Sequence, residues 1–392
     1  MSPRPEPGVD RWPGEPGLGG WYTDEEQAAL VRVLQEMPSW TSGYSRRHQE
    51  AFEHAFAAAV GAGDAVSVNS GGAGLDIAMA CLDAPRGAEV ISCAVNFPGT
   101  PLAVLGAGLR LVLAEPDPFT LNLDPAEIPR RMTPRTVAIL VTHMNGDPAD
   151  VPAIVEATVD QARRLRMRPP RIVVDAARAI GATTPVGPVG TGAWITMFSF
   201  HRKKAITTLG EGGMLTTDCP TTAHRIRQIR SFGLGRAWGS SHRMTEFQAA
   251  VGVVQLGRLE DMTRRRVALG RERTVLLSGV SGVRPPQERT GFRHVYYLYN
   301  VLMEPRAGAG ARDRIMAKLR AEHGIGTVIA NHPTYQAHPL IAEHVRDQGR
   351  FPVADEVTGH LLCLPVHPLM TSADNAAIAE AVARSVADLG LG

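Results

Sequence analysis

Five short runs in the N-terminal half decide what this chain can fold into: Ala65–Val68, Glu89–Cys93, Leu109–Leu113, Val137–Thr142 and Arg171–Asp175. Each is about five residues long, β-branched and apolar almost throughout. A strand with one wet face alternates apolar and polar residues; a strand covered on both faces does not. Between the runs lie stretches long enough for helical crossovers, such as Gly74–Leu82 and Ile154–Arg166. Strand, helix and strand in turn predict an α/β fold with a mostly parallel sheet flanked by helices. Such sheets bind ligands at the carboxyl ends of their strands.

With 392 residues and 44% hydrophobic content, the chain can bury one large core and a second, smaller one. Residues 1–20, rich in Pro and Gly, read as a flexible N-terminal arm. Residues 21–260 form the large domain and 261–392 a small C-terminal α/β domain. The large domain opens with a helix after Thr23, a turn at Trp40–Tyr44, and a helix from about Arg46 to Val60 with Phe52, Phe56 and Val60 on one face. The small domain has a long helix or bent pair from Met244 to Glu272, a strand Val295–Leu302, and helices Arg312–His323 and Thr371–Leu389. Arg264, Arg265 and Arg266 read as a solvated face of the long helix.

A net charge of +2 gives no reason to expect nucleic acid or a membrane as partner. Four cysteines show neither a paired motif nor zinc spacing, so no metal is expected. Cys81, Cys93 and Cys363 sit in apolar runs, as buried thiols in a reducing cytoplasm would.

Four features fall at or beyond the carboxyl ends of strands. Ser70-Gly-Gly-Ala73 follows a strand and opens a helix, where small residues and free N–H groups can hold a phosphate. Phe97 follows the strand ending at Cys93 and suits either the core or an aromatic platform. Asp175 sits behind Ile172-Val-Val174 and needs a cationic partner, either Arg178 or a protonated ring nitrogen. Lys203 and Lys204 follow the apolar run Trp194–Phe198 and precede a glycine-rich turn, Gly210–Gly213. A lysine held there loses hydration and becomes a nucleophilic amine, as Schiff-base chemistry requires. Cup, platform, carboxylate and amine together describe a pyridoxal 5′-phosphate (PLP) site.

The strongest signature is Ser199-Phe-His-x-x-Lys204 followed by Gly210-Glu-Gly-Gly213. Supporting segments are Asp117-Pro-x-x-Leu-Asn-Leu-Asp-Pro125, Asp175-Ala-Ala-Arg-Ala-Ile-Gly-Ala182, Arg243-Met-Thr-Glu-Phe-Gln-Ala-Ala250 and Leu364-Pro-Val-His-Pro368. In these the chain resembles the DegT/DnrJ/EryC1/StrS sugar aminotransferases, fold type I PLP-dependent enzymes, from about Gly20 to Ala387. The resemblance implies that Lys204, not Lys203, carries the cofactor and moves the proton. It implies that Asp175 pairs with the pyridine nitrogen, that Phe97 stacks on the ring, and that Ser70, Gly71, Gly72, Ala73 and Ser199 hold the phosphate. His201, Arg243 and His332 become candidates on the substrate side.

Three positions depart from the family pattern. Arg178 stands near the cofactor's 3-oxygen where glutamine or histidine is usual. Gly72 replaces a threonine. Ser241, in Gly239-Ser-Ser-His-Arg243, replaces an asparagine that reaches the phosphate of the neighbouring subunit. The implied enzyme is a cytoplasmic homodimer with shared active sites. It moves an amino group from L-glutamate or L-glutamine to a keto-sugar or keto-cyclitol, with the cofactor passing through its pyridoxamine (PMP) form, in amino-sugar or aminoglycoside biosynthesis. The alternatives are a PLP-dependent sugar dehydratase or deaminase and a non-catalytic sensor. Lysine at position 204 argues against the dehydrating subgroup, which has histidine there.

Overall fold

A computed structural model describes residues 10–36, 46–308 and 310–392. The turn expected at Trp40–Tyr44 and the first nine residues of the expected arm lie outside the described residues. The chain forms β1 (Asp64–Val68), β2 (Glu89–Cys93), β3 (Arg110–Ala114), β4 (Thr136–Thr142) and β5 (Arg171–Asp175). A two-residue hairpin, β6 (Thr183–Thr184) and β7 (Gly187–Pro188), precedes β8 (Ile195–Ser199) and β9 (Gly213–Thr217). Seven of these make one sheet in the order β1-β9-β8-β5-β4-β2-β3. Only β9 runs against the rest, pairing antiparallel with β1 and β8. The α/β expectation is met. Interior strands such as β4 and β5 are buried along nearly their whole length, which is why their sequences do not alternate.

The single reversed strand matters for the site. Its partners β1 and β8, together with β5 and β2, point the same way and end at one edge. Ser70, Phe97, Asp175 and Ser199 therefore converge there. Helix Arg47–Val60 packs its phenylalanine face beneath this edge. Phe52 lies 5.3 Å from the Phe200 ring, and Phe56 lies 4.9 Å from Phe198. Phe200, wholly buried, pins the start of the β8–β9 connection that carries both lysines.

The small domain has a three-stranded antiparallel sheet, β10 (Val283–Arg284), β11 (Tyr299–Met303) and β12 (Leu361–Leu364), covered by helices Ala311–His323 and Ser372–Asp388. The strand expected from Val295 starts only at Tyr299. Residues before it are bent, with Tyr296 in the left-handed region at φ 47°. The boundary expected at 260 falls inside one continuous helix, Glu246–Leu277. Its first half packs on the large domain; further along, Arg273 donates to Asn375 Oδ1 (2.7 Å) and to the Pro365 carbonyl (2.6 Å). Arg266 corrects the reading of a solvated face. Arg264 and Arg265 are exposed, but Arg266 is wholly buried and donates to the Val295 carbonyl at 3.1 Å. An arginine inside pays desolvation, which lowers its pKa to about 10.

The described part of the expected arm also departs from its reading. Residues 10–20 are a packed strap. Leu18 is fully buried. Trp12 exchanges backbone hydrogen bonds with Gly324 and Gly326 of the small domain. At the other end, the Gly19 N–H donates to the Lys204 carbonyl at 2.7 Å. A Cβ on Gly19 would lie 2.6 Å from the Ile206 Cα, so glycine is what lets the two backbones meet.

Candidate active site

Helix Gly71–Cys81 begins at the tip of β1, capped by Ser70, whose Oγ accepts the Ala73 N–H at 3.1 Å. This corrects the role expected for the Ala73 amide, because its hydrogen is already used by the cap. The amides of Gly71 and Gly72, the first helical residues, have no carbonyl a turn earlier to bond and stay available to an anion. Ser199, at the tip of β8, closes the cup. A Cβ on Gly71 would sit 3.1 Å from its Oγ. On the third side, a Cβ on Gly213 would meet the Ser70 carbonyl carbon at 2.8 Å. This close approach explains the last glycine of the Gly-Glu-Gly-Gly signature. The earlier ones, Gly210 (φ 104°) and Gly212 (φ 151°), occupy backbone conformations that side chains disfavour.

Asp175 is 4% exposed. Its Oδ2 accepts from Thr100 Oγ1 (2.7 Å) and its Oδ1 from the Ala177 N–H (3.0 Å). Arg178, one of the two partners considered for it, turns away. Its Nη1 donates to Asn145 Oδ1 at 2.6 Å, and its guanidinium lies 5.4 Å from the Tyr297 ring centre. Among the described residues no cation forms an ion pair with Asp175. A buried carboxylate that faces a cavity with only two neutral donors is short of a positive partner. A protonated ring nitrogen fills that need, so the residues fit the pyridinium of PLP.

The two lysines are sorted by their neighbours. Lys203 Nζ is held by Glu15 Oε2 at 2.7 Å. Among the described residues Lys204 has no such carboxylate; its Nζ lies 5.1 Å from the Tyr297 ring centre. Burial, and then the charge of Arg178, lower its pKa from 10.5 to about 8, against the opposing pull of Asp175 and Glu15. In cofactor-free protein, acetylation of Lys204 followed by peptide mass spectrometry is therefore expected to rise about tenfold per pH unit and level off above about pH 8. Below that pH the ammonium form dominates and does not react.

These groups line one cavity of about 470 Å³, together with Phe97, His201 and Glu211. Phe97 is 59% exposed, outside the core, and its backbone N–H is fixed by Asn96 Oδ1 at 2.8 Å. His201 lies at the rim. Burial and then the Lys204, Arg202 and Lys203 charges hold its pKa down, opposed by Glu211. A second cavity, about 380 Å³, lies between the Asp117–Leu123 loop and Arg284–Arg289, but no lysine, histidine or cysteine lines it. Ser241, Arg243 and His332 do not line the first cavity. Arg243 donates to Ser241 Oγ (3.3 Å) and lies over the Phe232 ring, while His332 is exposed. Thr100, Asn145, Glu15 and Tyr297 were not foreseen. Only Asn145-Gly146, a turn-forming pair with Asn145 at φ 54°, left a signal.

The model of the DegT/DnrJ/EryC1/StrS aminotransferase family matches residues 22–383. The chain belongs to this family. It is therefore a PLP-dependent aminotransferase. Spore coat polysaccharide biosynthesis protein SpsC of Bacillus subtilis is 32% identical to it, over 91% of this chain and 93% of that protein. GDP-perosamine synthase of Caulobacter vibrioides is 35% identical over 87% and 91% respectively. The solved structure of DesV from S. venezuelae superposes with a TM-score of 0.81 at 31% identity, covering 92% of this aminotransferase and 94% of DesV. No helix among the described residues of the aminotransferase is long and apolar enough to cross a membrane.

Proposed function

We propose that this aminotransferase moves an amino group from L-glutamate or L-glutamine to the ketone of a sugar or cyclitol, in amino-sugar or aminoglycoside biosynthesis. The observation that carries this reading is that Lys204, which no carboxylate among the described residues pairs with, shares one cavity with the buried Asp175, which no cation among them pairs with. PLP, when bound, supplies the electron sink. Asp175 holds the ring nitrogen protonated. The Gly71 and Gly72 amides with the Ser70 and Ser199 hydroxyls hold the phosphate, and Phe97 covers the ring. Lys204, its pKa lowered to about 8 by burial and the Arg178 charge, would take a proton from the donor's Cα and return it further along. Arg178, anchored by Asn145, brings positive charge to the same cavity and would offset the negative charge of the cofactor's 3-oxygen.

The functional unit is proposed to be a homodimer. The segment from Phe232 to Arg243 exposes Phe232 and Trp238, the latter by 71%, a large apolar surface for a loop. Ser241 and Arg243 lie on this segment, and a second copy seated on it would receive them. The relatives' names support a sugar-type acceptor: one acts in polysaccharide biosynthesis and another makes GDP-perosamine. The test uses the PLP-loaded enzyme. L-Glutamate should bleach the cofactor band and yield stoichiometric 2-oxoglutarate, and a panel of keto-sugars and keto-cyclitols should then restore the band. A protein that binds PLP but never releases 2-oxo acid from either donor would overturn the reading.

A further inference from the structure

The cavity has a wall supplied by the N-terminal strap. The strap is tied at both ends, to the small domain at Trp12 and to the Lys204 carbonyl at Gly19. Near its middle, Gly14 lies so close to the small domain that a Cβ there would fall 2.7 Å from the Thr327 carbonyl carbon. Glu15 follows directly and lines the cavity with Lys204 and Asp175. Its position is therefore set by anchors on both sides.

The carboxylate is oriented as well as placed. Oε2 accepts from Lys203 Nζ at 2.7 Å, and Oε1 accepts from the Tyr297 hydroxyl at 3.0 Å. Tyr297 is buried, but the Glu15 side chain keeps 22% exposure. Each carboxylate oxygen has two acceptor sites, and each spends one within the protein. One site per oxygen is left. Burial raises the Glu15 pKa, but the Lys203 hydrogen bond, the Arg178 and Lys203 charges and the Tyr297 hydroxyl together bring it below its ordinary value. The group is ionised at neutral pH.

A fixed anion in a small-molecule cavity discriminates among ligands. It repels carboxylates and phosphates and accepts hydrogen bonds from hydroxyls. An amino-acid donor brings carboxylates. These are drawn to Arg178, which lines the same cavity and has no ion-pair partner among the described residues. What suits Glu15 is a neutral ring with adjacent hydroxyls. We infer that Glu15 is the acceptor-recognition residue of this aminotransferase: its two free acceptor sites take a vicinal diol of the acceptor and direct the ketone toward Lys204. The inference rests on the transaminase reading above and narrows it, because the part of the acceptor nearest Lys204 is then uncharged and hydroxylated.

The test compares Glu15→Gln, which keeps the shape and loses the charge, with the unaltered enzyme loaded with PMP. The probes are myo-inositol and methyl α-D-glucopyranoside, neutral polyols with no ketone to react. Their binding is followed by saturation-transfer NMR and calorimetry, and the glutamate half-reaction is followed separately on the PLP form. Both probes should bind the unaltered enzyme. Glu15→Gln should weaken them at least about tenfold more than it slows the glutamate half-reaction. Tyr297→Phe, which keeps the ring and removes the hydroxyl that orients the carboxylate, should weaken them by a smaller factor. Equal loss of polyol affinity and of the donor rate would mark Glu15 as structural and overturn the inference. So would unchanged polyol binding, or no polyol binding to the unaltered enzyme. Failure of the transaminase reading looks different: glutamate and glutamine then leave the unaltered enzyme's cofactor band untouched, whatever the polyols do.

Discussion

Lys204→Ala should reduce transamination by roughly 10⁴-fold, the upper end of what a positioned acid–base group contributes. It should also abolish covalent retention of the cofactor, read by borohydride reduction and mass spectrometry of the intact protein. Lys203→Ala is the decisive comparison, because the two amines are adjacent in sequence. Lys203 is part-exposed and already paired with Glu15 at 2.7 Å. A pair of that kind is worth about 1 kcal/mol or less, so its loss should change the rate by under about tenfold while covalent cofactor remains. The reverse pattern would place the chemistry on Lys203.

Asp175→Asn should lower the rate by about 10²–10³-fold, the scale set by removing one preorganised electrostatic partner. The amide fits the same space: the Ala177 N–H, at 3.0 Å, can still donate to its oxygen, and the Thr100 hydroxyl, at 2.7 Å, can turn to accept from its NH2. What is lost is the charge. The stopped-flow rate of cofactor bleaching by glutamate should fall, while far-UV circular dichroism stays that of the unaltered protein. Because the carboxylate has no ion-pair partner among the described residues, removing its charge leaves no protein cation stranded. Structural collapse is not the expected outcome.

The sheet was legible because its interior strands are buried on both faces. That condition writes itself directly into residues such as Val173 and Val174 as an unbroken apolar run. The cofactor-facing residues were legible for a related reason. Each stands at the end of such a run or opens the next helix, so its place in the chain is its place at the sheet edge. The region before β11 was harder. Tyr296 and Tyr297 alternate plausibly with their neighbours, but a left-handed residue breaks the strand and sends Tyr297 into the cavity wall. Arg266 was misread because a run of three arginines looks solvated, and nothing local tells that the third points at the Val295 carbonyl.

By itself the sequence determined the parallel sheet, the family, the cofactor and the residues at the strand tips. All of these follow from short-range patterns: apolar runs, glycine spacing, and a lysine five residues after a serine. Only the tertiary structure decided which groups surround that lysine. The spacing from Ser199 singles out Lys204, but as amines Lys203 and Lys204 look alike in the sequence. They become different because Glu15, 188 residues away, is brought against one of them. Arg178 lies three residues from Asp175 yet pairs with Asn145 instead. Contacts between distant segments depend on where a strap or a bent loop comes to rest in the folded packing. A charge or a hydrogen bond made there leaves no trace in the local pattern of either partner.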